Sequence, residues 1–400
     1  MQASFFRQNR ARLGEALQGG VVILAAYTKM QRSSDMAFDF EQESNFWYLT
    51  GIERPDWLLV YEGAHDHAWL IAPEIDAVHQ TFDGWLDHQA AQRISAVDAV
   101  YTNDEGLQRL RKLAKRHAMV YTIDHPAYAH RFDFSLNPAI HRHKAMLERT
   151  FTTVRDCTKD LARLRAIKQP DEITAIKQAI KLTATAFDTV KTKLISMRHE
   201  YEIAAEFTYQ FTKNNARHAY DPIVAAGAHA CTLHYTANDG RLKKPQLVLL
   251  DVGARVDGYA ADITRTYAYG SLTKRQQAVH IAVRQAHQRI IDMVAPGLAV
   301  TQYQQRVDEI MSETLQSLGL LKINDEAALR RYLPHAVSHG LGVDVHDSLG
   351  SPRYFEPGMV LTVEPGIYIP EENIGVRIED DILIGEQRAI NLSAKLSTAA

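Results

Sequence analysis

One stretch of the sequence, LVLLDVGARVDGYAADITRTY at residues 247–267, constrains the fold more than any other. An apolar run ends at Asp251, a turn-forming Asp-Gly dipeptide follows, and a run rich in threonine and tyrosine resumes after Asp262. The stretch predicts an antiparallel hairpin centred near Val256 and Asp257. In such a hairpin Asp251 and Asp262 lie almost opposite each other, so both carboxylates can reach one point, as the ligands of a metal ion do.

Three more candidate ligands follow, each in its own local sequence. His339 lies in SHGLGVDVHD, Glu364 ends the apolar part of MVLTVEPG, and Glu379 lies in GVRIEDD. Period-two alternation along a strand puts Arg377 and Glu379 on one face. Any one of these acidic residues taken alone would be expected at the surface or at a helix cap, so only the full set indicates a metal site.

The five side chains form a donor set dominated by oxygen, with four carboxylates and one imidazole. Such a set favours Mn²⁺ or a similar divalent ion over the thiolate- and imidazole-rich sites that zinc prefers, although metal availability can override this preference. Without cations the carboxylates would repel one another and some would bind protons. The sequence therefore predicts two divalent metal ions, Mn²⁺ first, with Co²⁺ and Zn²⁺ as alternatives.

The order Asp, Asp, His, Glu, Glu, within DVGARVDGYAADITR, SHGLGVDVHD, TVEPGIY and RIEDD, resembles the peptidase family of the pita-bread fold. The chain is most similar to the branch that contains Xaa-Pro aminopeptidase (aminopeptidase P) and Xaa-Pro dipeptidase (prolidase). The stretch RSSDMAFDFEQESNFWYLTGIERPDWLLVY also resembles the non-catalytic N-terminal domain of that branch. Methionine aminopeptidases resemble only the second half of the chain, and non-catalytic relatives lack the five ligands.

The resemblance implies a dinuclear metallopeptidase. Asp251 would bind one ion, His339 and Glu364 the other, and Asp262 and Glu379 both. A hydroxide held between the ions would attack the scissile carbonyl, with no need for a nucleophilic serine or cysteine. Glu364 is also the candidate that takes the proton from the attacking water.

The same resemblance points to further catalytic residues. His234 in TLHYTAND, His335 four residues before His339, and His346 in DVHD match pocket histidines that hydrogen-bond the substrate carbonyl and the tetrahedral intermediate. Arg377 resembles an arginine that orients a ligand carboxylate, and its alternative is a surface ion pair. Most of the other histidines, among 18 in the chain, are expected at the surface.

The sequence predicts an α+β protein of two domains, because a chain of 400 residues is longer than a single hydrophobic core usually supports. Residues 1–155 are expected to form a smaller α/β domain. Residues 156–400 are expected to form the pita-bread catalytic domain, built on a curved antiparallel sheet. Near its beginning, in LARLRAIKQPDEITAIKQAI, Pro170 followed by two acidic residues predicts the start of a helix.

The N-terminal domain is interpreted as α/β because short β-like runs alternate with helical stretches such as EGLQRLRKLAKRH. The β-like runs lie at residues 21–27, 46–51, 57–61 and 119–123.

The activity implied by the resemblance is hydrolysis of the Xaa-Pro bond at the N-terminus of small peptides with proline in the second position. The tertiary amide before proline lacks an N–H group and carries a rigid ring, so peptidases that bind an extended backbone handle it poorly. The aminopeptidase is favoured because RSSDMAFDFEQESNFWYLTG is closest to aminopeptidase P. An Xaa-Pro dipeptidase and a non-catalytic binding protein on the same fold stay open as alternatives.

Composition limits the other partners and the location. A net charge of −3 gives no broad attraction to nucleic acid or to an acidic membrane, and no apolar run approaches membrane-spanning length. The first residues contain no apolar core of a signal peptide, and Cys157 and Cys231 form no disulfide framework, so a cytoplasmic protein is expected.

Assembly is also inferred by resemblance, as a homodimer or homotetramer. Trp85 in FDGWLDH resembles a tryptophan that some relatives insert into a neighbouring subunit's active site. An ordinary half-buried tryptophan is the alternative at this position.

Overall fold

The structure is a computed structural model that describes residues 1–124, 135–322 and 325–400. The chain divides into two compact units, Met1–Leu164 and Arg165–Ala400. Among the described helices, none combines the length and the apolar character that crossing a lipid bilayer requires.

The first unit has a mixed sheet with helices packed on it. The helices are α1 (Ala3–Ala16), α2 (Ser44–Thr50), α3 (Ala77–Asp83), α4 (His88–Ser95), α5 (Asn103–Ala114), α6 (Pro138–Thr150) and α7 (Thr158–Ala166), which spans the division between the units. The strands are β1 (Val21–Ala25), β2 (Gln31–Ser33), β3 (Met36–Ala37), β4 (Leu58–Glu62), β5 (His67–Ile71), β6 (Ala99–Tyr101), β7 (Met119–Thr122) and β8 (Thr153–Asp156). The six-stranded sheet has the order β6-β5-β4-β1-β7-β8, and β1 pairs antiparallel with β4 and parallel with β7.

Three of the four predicted β-like runs are strands, namely β1, β4 and β7, but the run FWYLTG is helical and forms most of α2. The Glu43 side chain accepts a hydrogen bond from the Phe46 backbone N–H at 2.6 Å and caps the helix, and Gly51 ends it in a left-handed conformation (φ 70°). The residues from Phe46 to Thr50 are all buried, so the run shows no helical periodicity. The strand prediction was wrong because a short apolar run does not distinguish a buried helix from a buried strand.

The second unit is built from antiparallel strand pairs and long helices. The helices are α8 (Pro170–Lys193), α9 (Glu200–Thr212), α10 (Lys274–Met293), α11 (Val300–Ser317) and α12 (Glu326–Tyr332). The strands are β9 (Arg217–His218), β10 (Ile223–Ala226), β11 (Gln246–Val252), β12 (Ala254–Val256), β13 (Tyr259–Ala260), β14 (Ile263–Tyr269), β15 (Val360–Val363), β16 (Gly366–Ile369), β17 (Ile374–Arg377), β18 (Asp380–Ile384) and β19 (Ala389–Asn391).

Helix α8 begins at Pro170, as the sequence predicts. The Glu172 side chain accepts the Gln169 backbone N–H at 2.8 Å, which satisfies one of the free donors at the helix start. The other oxygen of Glu172 accepts a hydrogen bond from the Tyr259 hydroxyl at 2.8 Å. Tyr259 belongs to the predicted hairpin, so α8 supports that hairpin directly.

The predicted hairpin forms, with its turn one residue further along than expected. The turn lies at Asp257-Gly258, where both residues have positive φ (48° and 84°), as a two-residue turn of the favoured type requires. Asp251 consequently pairs with Thr264 rather than with Asp262. The pairing partner of Asp251 thus shifts by two residues, which is an even number. Asp262 therefore still lies on the same face as Asp251, as its diagonal neighbour.

A second hairpin lies beside the first and carries the two candidate glutamates. Strand β15 pairs with β18 and β16 with β17 in one shared register, which places Glu364 opposite Glu379. The Glu379 backbone N–H donates to the Thr264 carbonyl oxygen at 3.0 Å, and the Thr266 hydroxyl donates to the Arg377 carbonyl oxygen at 2.9 Å. The backbone thus joins the two hairpins next to their candidate ligands.

The two faces of the second hairpin have opposite characters. Alternate residues such as Leu361 and Val376 lie in one apolar core with Val283 of α10 and Leu315 of α11. The residues between them point to the other face, which holds the polar side chains. Burial of the apolar face therefore fixes which side chains face the site.

Gly253→Ala tests the close backbone approach at the base of the first hairpin. An added Cβ at Gly253 would lie 1.7 Å from the Ala261 carbonyl oxygen, so the strands must separate. We expect the free energy of unfolding to fall by more than about 3 kcal/mol, measured by thermal or denaturant unfolding. The control is Gly297→Ala, where φ is 81° and the added methyl group meets no described atom within 4 Å, so only the conformational cost of about 1 kcal/mol applies. Equal losses in the two variants would contradict the steric account.

Candidate metal centre

The five predicted ligands come together in the second unit. Donor atoms of Asp251, Asp262 and Glu379 lie within 4.8 Å of one another, and so do donor atoms of His339, Glu364 and Glu379. Glu379 belongs to both groups. The His339 Nε2 atom also lies 3.4 Å from Asp262 Oδ2 and 3.5 Å from Glu364 Oε1, which links the groups into one cluster.

A buried tyrosine that the sequence did not single out holds the two aspartates of the first hairpin together. The Tyr220 hydroxyl lies 2.5 Å from Asp251 Oδ1 and 2.6 Å from Asp262 Oδ1. Burial, together with the charges of Asp251 and Asp262, raises the pKa of Tyr220 well above its usual value, so the phenol keeps its single proton and donates it to one of the two carboxylates at a time. The Tyr220 hydroxyl thus lies between the two carboxylates and contacts one oxygen of each.

Arg377 hydrogen-bonds one of the candidate ligands directly. Its Nη2 atom donates to Asp251 Oδ2, and its Nε atom donates to the Thr264 hydroxyl at 3.1 Å. Thr264 in turn donates to Glu379 Oε2 at 2.6 Å. Arg377 is buried, so this is not a surface ion pair, and it fixes one ligand directly and a second through Thr264.

His339 presents one defined ring nitrogen to the cluster. Its Nδ1 atom lies 2.9 Å from the Gly340 carbonyl oxygen, and a carbonyl can only accept, so Nδ1 carries the hydrogen. The Nε2 atom faces Asp262 and Glu364. In the absence of a metal ion, burial would lower the pKa of His339, but the hydrogen bond with Asp262 and the charges of Glu364 and Asp262 outweigh it and raise this pKa to about 9.

Asp251, Glu364 and Glu379 have raised pKa values. Burial and the charges of the neighbouring carboxylates raise the pKa of Glu379 well above its usual value. Burial raises the pKa of Glu364 to about 7 despite the opposing charges of His339 and Arg377. Burial also raises the pKa of Asp251, which the neighbouring Arg377 partly opposes. The cluster therefore binds protons in the absence of cations, as like charges at short range must.

The donor set fits divalent metal ions. Four carboxylates converge, while Arg377 contacts one of them and His339 lies beside two others, so negative charge exceeds positive charge in the cluster. Oxygen-rich sites of this kind suit hard divalent cations, and such cations would replace the protons that the carboxylates and His339 otherwise hold.

His335 lies against Glu364 as a neutral ring. Its Nδ1 atom lies 2.8 Å from the Ala336 carbonyl oxygen, and its Nε2 atom lies 2.9 Å from the Tyr368 hydroxyl, which Arg377 Nη1 contacts at 2.8 Å. Burial and the charge of Arg377 lower the pKa of His335 to about 4. The 3.5 Å approach of His335 to Glu364 is therefore not an ion pair at neutral pH.

The other two predicted histidines are exposed beside the cluster. The His346 ring centroid lies 4.1 Å from that of His339, with 45° between the ring planes, and donor atoms of Asp262, His339 and His346 lie within 4.8 Å of one another. A charge on His234 would lower the pKa values of both His335 and His346, which indicates that His234 lies near them. The structure thus brings all the predicted site residues to one place.

Three further residues of the site were missed from the sequence, namely Tyr220, Thr264 and Tyr368. Alternation could have found two of them, because Thr264 lies two residues after Asp262, and Tyr368 lies four residues after Glu364, on the same faces. Tyr220 lies 31 residues from Asp251, and its local sequence contains no comparable signal.

Comparisons with known proteins identify the family of the chain. Residues 174–386 match metallopeptidase family M24, and residues 6–121 match the N-terminal domain of aminopeptidase P. The Xaa-Pro aminopeptidase of Escherichia coli (strain K12) is 33% identical over 98% of this chain and 94% of its own length. Xaa-Pro aminopeptidase 3 of Mus musculus is 34% identical over 94% of this chain and 78% of its own length. The solved structure of Escherichia coli aminopeptidase P in its low-pH form has a TM-score of 0.87 at 31% identity and covers 99% of this chain and 96% of that one.

The fold and the site define a metal-dependent peptidase. The chain belongs to metallopeptidase family M24 and is a metallo-exopeptidase with the two-domain α+β fold of aminopeptidase P, so the predicted family and fold class are confirmed. Divalent metal ions and peptide substrates follow from this membership.

The protonation of the cluster predicts how metal binding depends on pH. The raised pKa of Glu364 contributes stability to the metal-free protein that is fully present below pH 4.5 and is lost as the pH rises through about 7. His339 acts in the same direction between pH 6.5 and about 9. Because divalent cations displace these protons, we expect affinity for Mn²⁺ to rise across this range while the chelator-treated protein becomes less stable.

Calorimetric titration of the chelator-treated protein with Mn²⁺, in buffers of different ionisation enthalpy, measures both the affinity and the protons released. Glu364→Gln is the matched variant, because it has no proton to release at this position. An affinity that stays constant from about pH 6 to about pH 8 would contradict the prediction.

Proposed function

We propose that this protein is an Xaa-Pro aminopeptidase, which removes the first residue from peptides with proline in the second position. The observation that carries the proposal is the cluster of four carboxylates and His339 in a chain that is 33% identical to the Escherichia coli Xaa-Pro aminopeptidase over nearly its whole length. The relatives' names supply the proline preference.

Two metal ions would occupy the two groups of donor atoms. Asp251, Asp262 and Glu379 would hold one ion, and His339, Glu364 and Glu379 the other, with Asp262 and Glu379 shared. The shared position of Asp262 is supported by its 3.4 Å approach to His339. Mn²⁺ is the ion that we propose, because oxygen donors dominate. Co²⁺ and Zn²⁺ remain alternatives, and a zinc-substituted form of Escherichia coli aminopeptidase P is among the structural neighbours.

Two bound cations would supply Lewis acidity and lower the pKa of a water molecule held between them. Glu364 would accept the proton of the attacking water and deliver it to the proline nitrogen, which must gain a proton as the bond breaks. Arg377 and Tyr220 would keep Asp251 in place, since both hydrogen-bond it. These contacts hold the ligand geometry that the reaction needs.

The histidines would bind the substrate carbonyl and the tetrahedral intermediate. His234 and His346 are exposed beside the cluster, which makes them the stronger candidates for direct contact. Both ring nitrogens of His335 already have partners, at Ala336 and Tyr368. His335 would have to release one of these partners to bind a substrate, and otherwise it positions Tyr368.

Hydrolysis of a matched pair of substrates tests the function. The metal-stripped protein, with and without added Mn²⁺, is given an Xaa-Pro-Yaa tripeptide and an Xaa-Pro dipeptide. We expect Mn²⁺-dependent cleavage of the tripeptide, with release of the first residue. Cleavage of the dipeptide alone would identify an Xaa-Pro dipeptidase, and cleavage of neither would favour a non-catalytic binding protein.

Asp262→Ala tests the site assignment in the same assay. A ligand shared by both ions supports the whole centre, so we expect kcat/KM to fall by at least about 1,000-fold. Asp308→Asn is the control, because this exposed carboxylate forms a surface ion pair with Arg330 and is expected to leave activity unchanged. Undiminished hydrolysis by Asp262→Ala would overturn the assignment.

We propose a homodimer or homotetramer assembled through the first unit. That unit exposes several large apolar side chains, including Met36, Phe38, Phe82 (83% exposed) and Trp85 (50% exposed). Large apolar side chains that are exposed on one unit are available for contacts between subunits. The half-exposed Trp85 is available for contact with another subunit.

Light scattering after size-exclusion chromatography tests the assembly. We expect wild type to elute as an oligomer and Phe82→Glu to shift toward monomer, because a charge is costly in an apolar interface. Tyr209→Glu, at an exposed aromatic residue of the second unit (60% exposed), is the control and is expected to keep the wild-type mass. A monomeric wild type would contradict the proposal.

The location and the domain division also remain proposals. We propose a cytoplasmic protein, because Cys157 and Cys231 are both free thiols and match a reducing compartment. We propose residues 1–155 as the N-terminal domain and residues 156–400 as the catalytic domain, a division consistent with family matches at 6–121 and 174–386.

A further inference from the structure

The segment RLRAIK, just before α8, contains two buried cations that the proposed reaction does not use. Arg165 and Lys168 are 4% and 5% exposed. Removing a cation from water costs free energy, which only close and well-aligned partners offset. The partners of these two side chains therefore indicate what the segment does.

Both cations contact the loop that follows His339. Arg165 Nη2 donates to Asp344 Oδ2 at 2.5 Å and lies 2.8 Å from Asp347 Oδ1. Lys168 Nζ lies 3.3 Å from Asp347 Oδ2 and donates to the Arg165 carbonyl oxygen at 2.5 Å. Each oxygen of the buried Asp347 carboxylate thus has a cation beside it, and the two positive charges match the two negative ones.

Asp347 closes the loop upon itself through its backbone. Its backbone N–H donates to the Gly340 carbonyl oxygen at 2.8 Å, and the Gly342 N–H donates to the Asp344 carbonyl oxygen at 3.0 Å. A Cβ at Gly342 would lie 2.0 Å from Asp347 Oδ2, so the carboxylate occupies the space where any side chain at that position would begin. The loop is built around this one acidic group.

The exposed His346 lies between Asp344 and Asp347 in this loop. Its ring lies against that of His339, at 4.1 Å between centroids. Within the described part of the chain no hydrogen bond holds the His346 ring. The loop backbone therefore sets its position, and the ion pairs of Asp344 and Asp347 set the loop backbone.

We propose that Arg165, Lys168 and Asp347 form a positioning network that holds His346 against His339 at the metal centre. The inference rests on the proposed peptidase function and adds residues that act through His346. Apolar residues of similar volume would stabilise this interior as well as buried ion pairs do. The ion pairs add geometric specificity, because each oxygen of the Asp347 carboxylate must lie beside its own cation. This requirement selects one conformation of the loop.

Asp347→Asn is the main test, because it keeps the shape of the side chain and removes its charge. In the Mn²⁺-loaded enzyme we expect kcat for an Xaa-Pro-Yaa tripeptide to fall about 10- to 100-fold, as for a misplaced catalytic group, with KM changed less than about twofold. In a His346→Ala background the same substitution is expected to change kcat less than about threefold, because the residue through which it acts is gone. In a His234→Ala background it is expected to keep its full effect.

A spectroscopic measurement follows the loop without turnover. The enzyme is labelled with ¹⁵N-histidine and loaded with diamagnetic Zn²⁺, and the His346 signal is assigned by its loss in His346→Ala. We expect Asp347→Asn to shift or broaden this signal, and the control Asp308→Asn, which removes a surface ion pair, to leave both the signal and kcat unchanged. Arg165→Lys keeps the charge but cannot reach both aspartates, and an intermediate shift with an intermediate loss of kcat is expected.

Failure of the proposed peptidase function and failure of the proposed network give different results. An inactive wild type overturns the peptidase function, and the histidine signal then tests the network alone. An active wild type in which Asp347→Asn lowers kcat equally with and without His346 overturns the network, as does an unchanged His346 signal. If Asp347→Asn does not fold, Arg165→Lys provides the same comparisons in the same two backgrounds.

Discussion

Four buried carboxylates that converge within a few ångströms repel one another, and much of the second unit is arranged to hold them there. Arg377 and Tyr220 donate to the aspartates, and Thr264 donates to Glu379. Burial and the remaining repulsion raise the pKa values of Glu379 and Glu364, because these donors offset only part of the charge. A centre of this kind keeps its carboxylates ionised only with bound cations, so its metal requirement is a direct consequence of its electrostatics.

Both hairpins hold the candidate ligands in place through the period-two alternation of their side chains. Alternate side chains of the second hairpin pack on helices α10 and α11 and are buried in the core, so the intervening residues must face the site. The first hairpin is supported from α8, through the hydrogen bond of Tyr259 to Glu172. Because apolar packing fixes the register, the ligands are placed by the same contacts that stabilise the fold. The same strands therefore contribute to the apolar core of this unit and position its candidate ligands.

Charge pairs at greater distance from the centre organise the loops between these strands. Arg165 and Lys168 meet Asp347 behind the loop of His339 and His346, while the buried Arg265 donates to the Glu379 carbonyl oxygen and to Asp380 on the other side. Burying charged side chains of this kind costs free energy, and here each cation has more than one partner that offsets the cost. Their arrangement accounts for the defined position of the exposed His346 on a loop that has little regular structure.

The sequence by itself indicated the five candidate ligands and Arg377, and it placed Asp251 and Asp262 on one face. Turn chemistry and period-two alternation are local properties of the sequence. The predicted turn was wrong by one residue, which moved the pairing partner of Asp251 by two residues and left Asp262 on the same face of the hairpin. The same local reasoning was wrong for FWYLTG, where burial on all sides removed the helical signal. Only the tertiary structure decided the roles of Tyr220, the occupied ring nitrogens of His335 and the contact of Arg165 with Asp347. These contacts join residues far apart in the chain, and no local pattern encodes which distant side chains meet when the apolar faces pack.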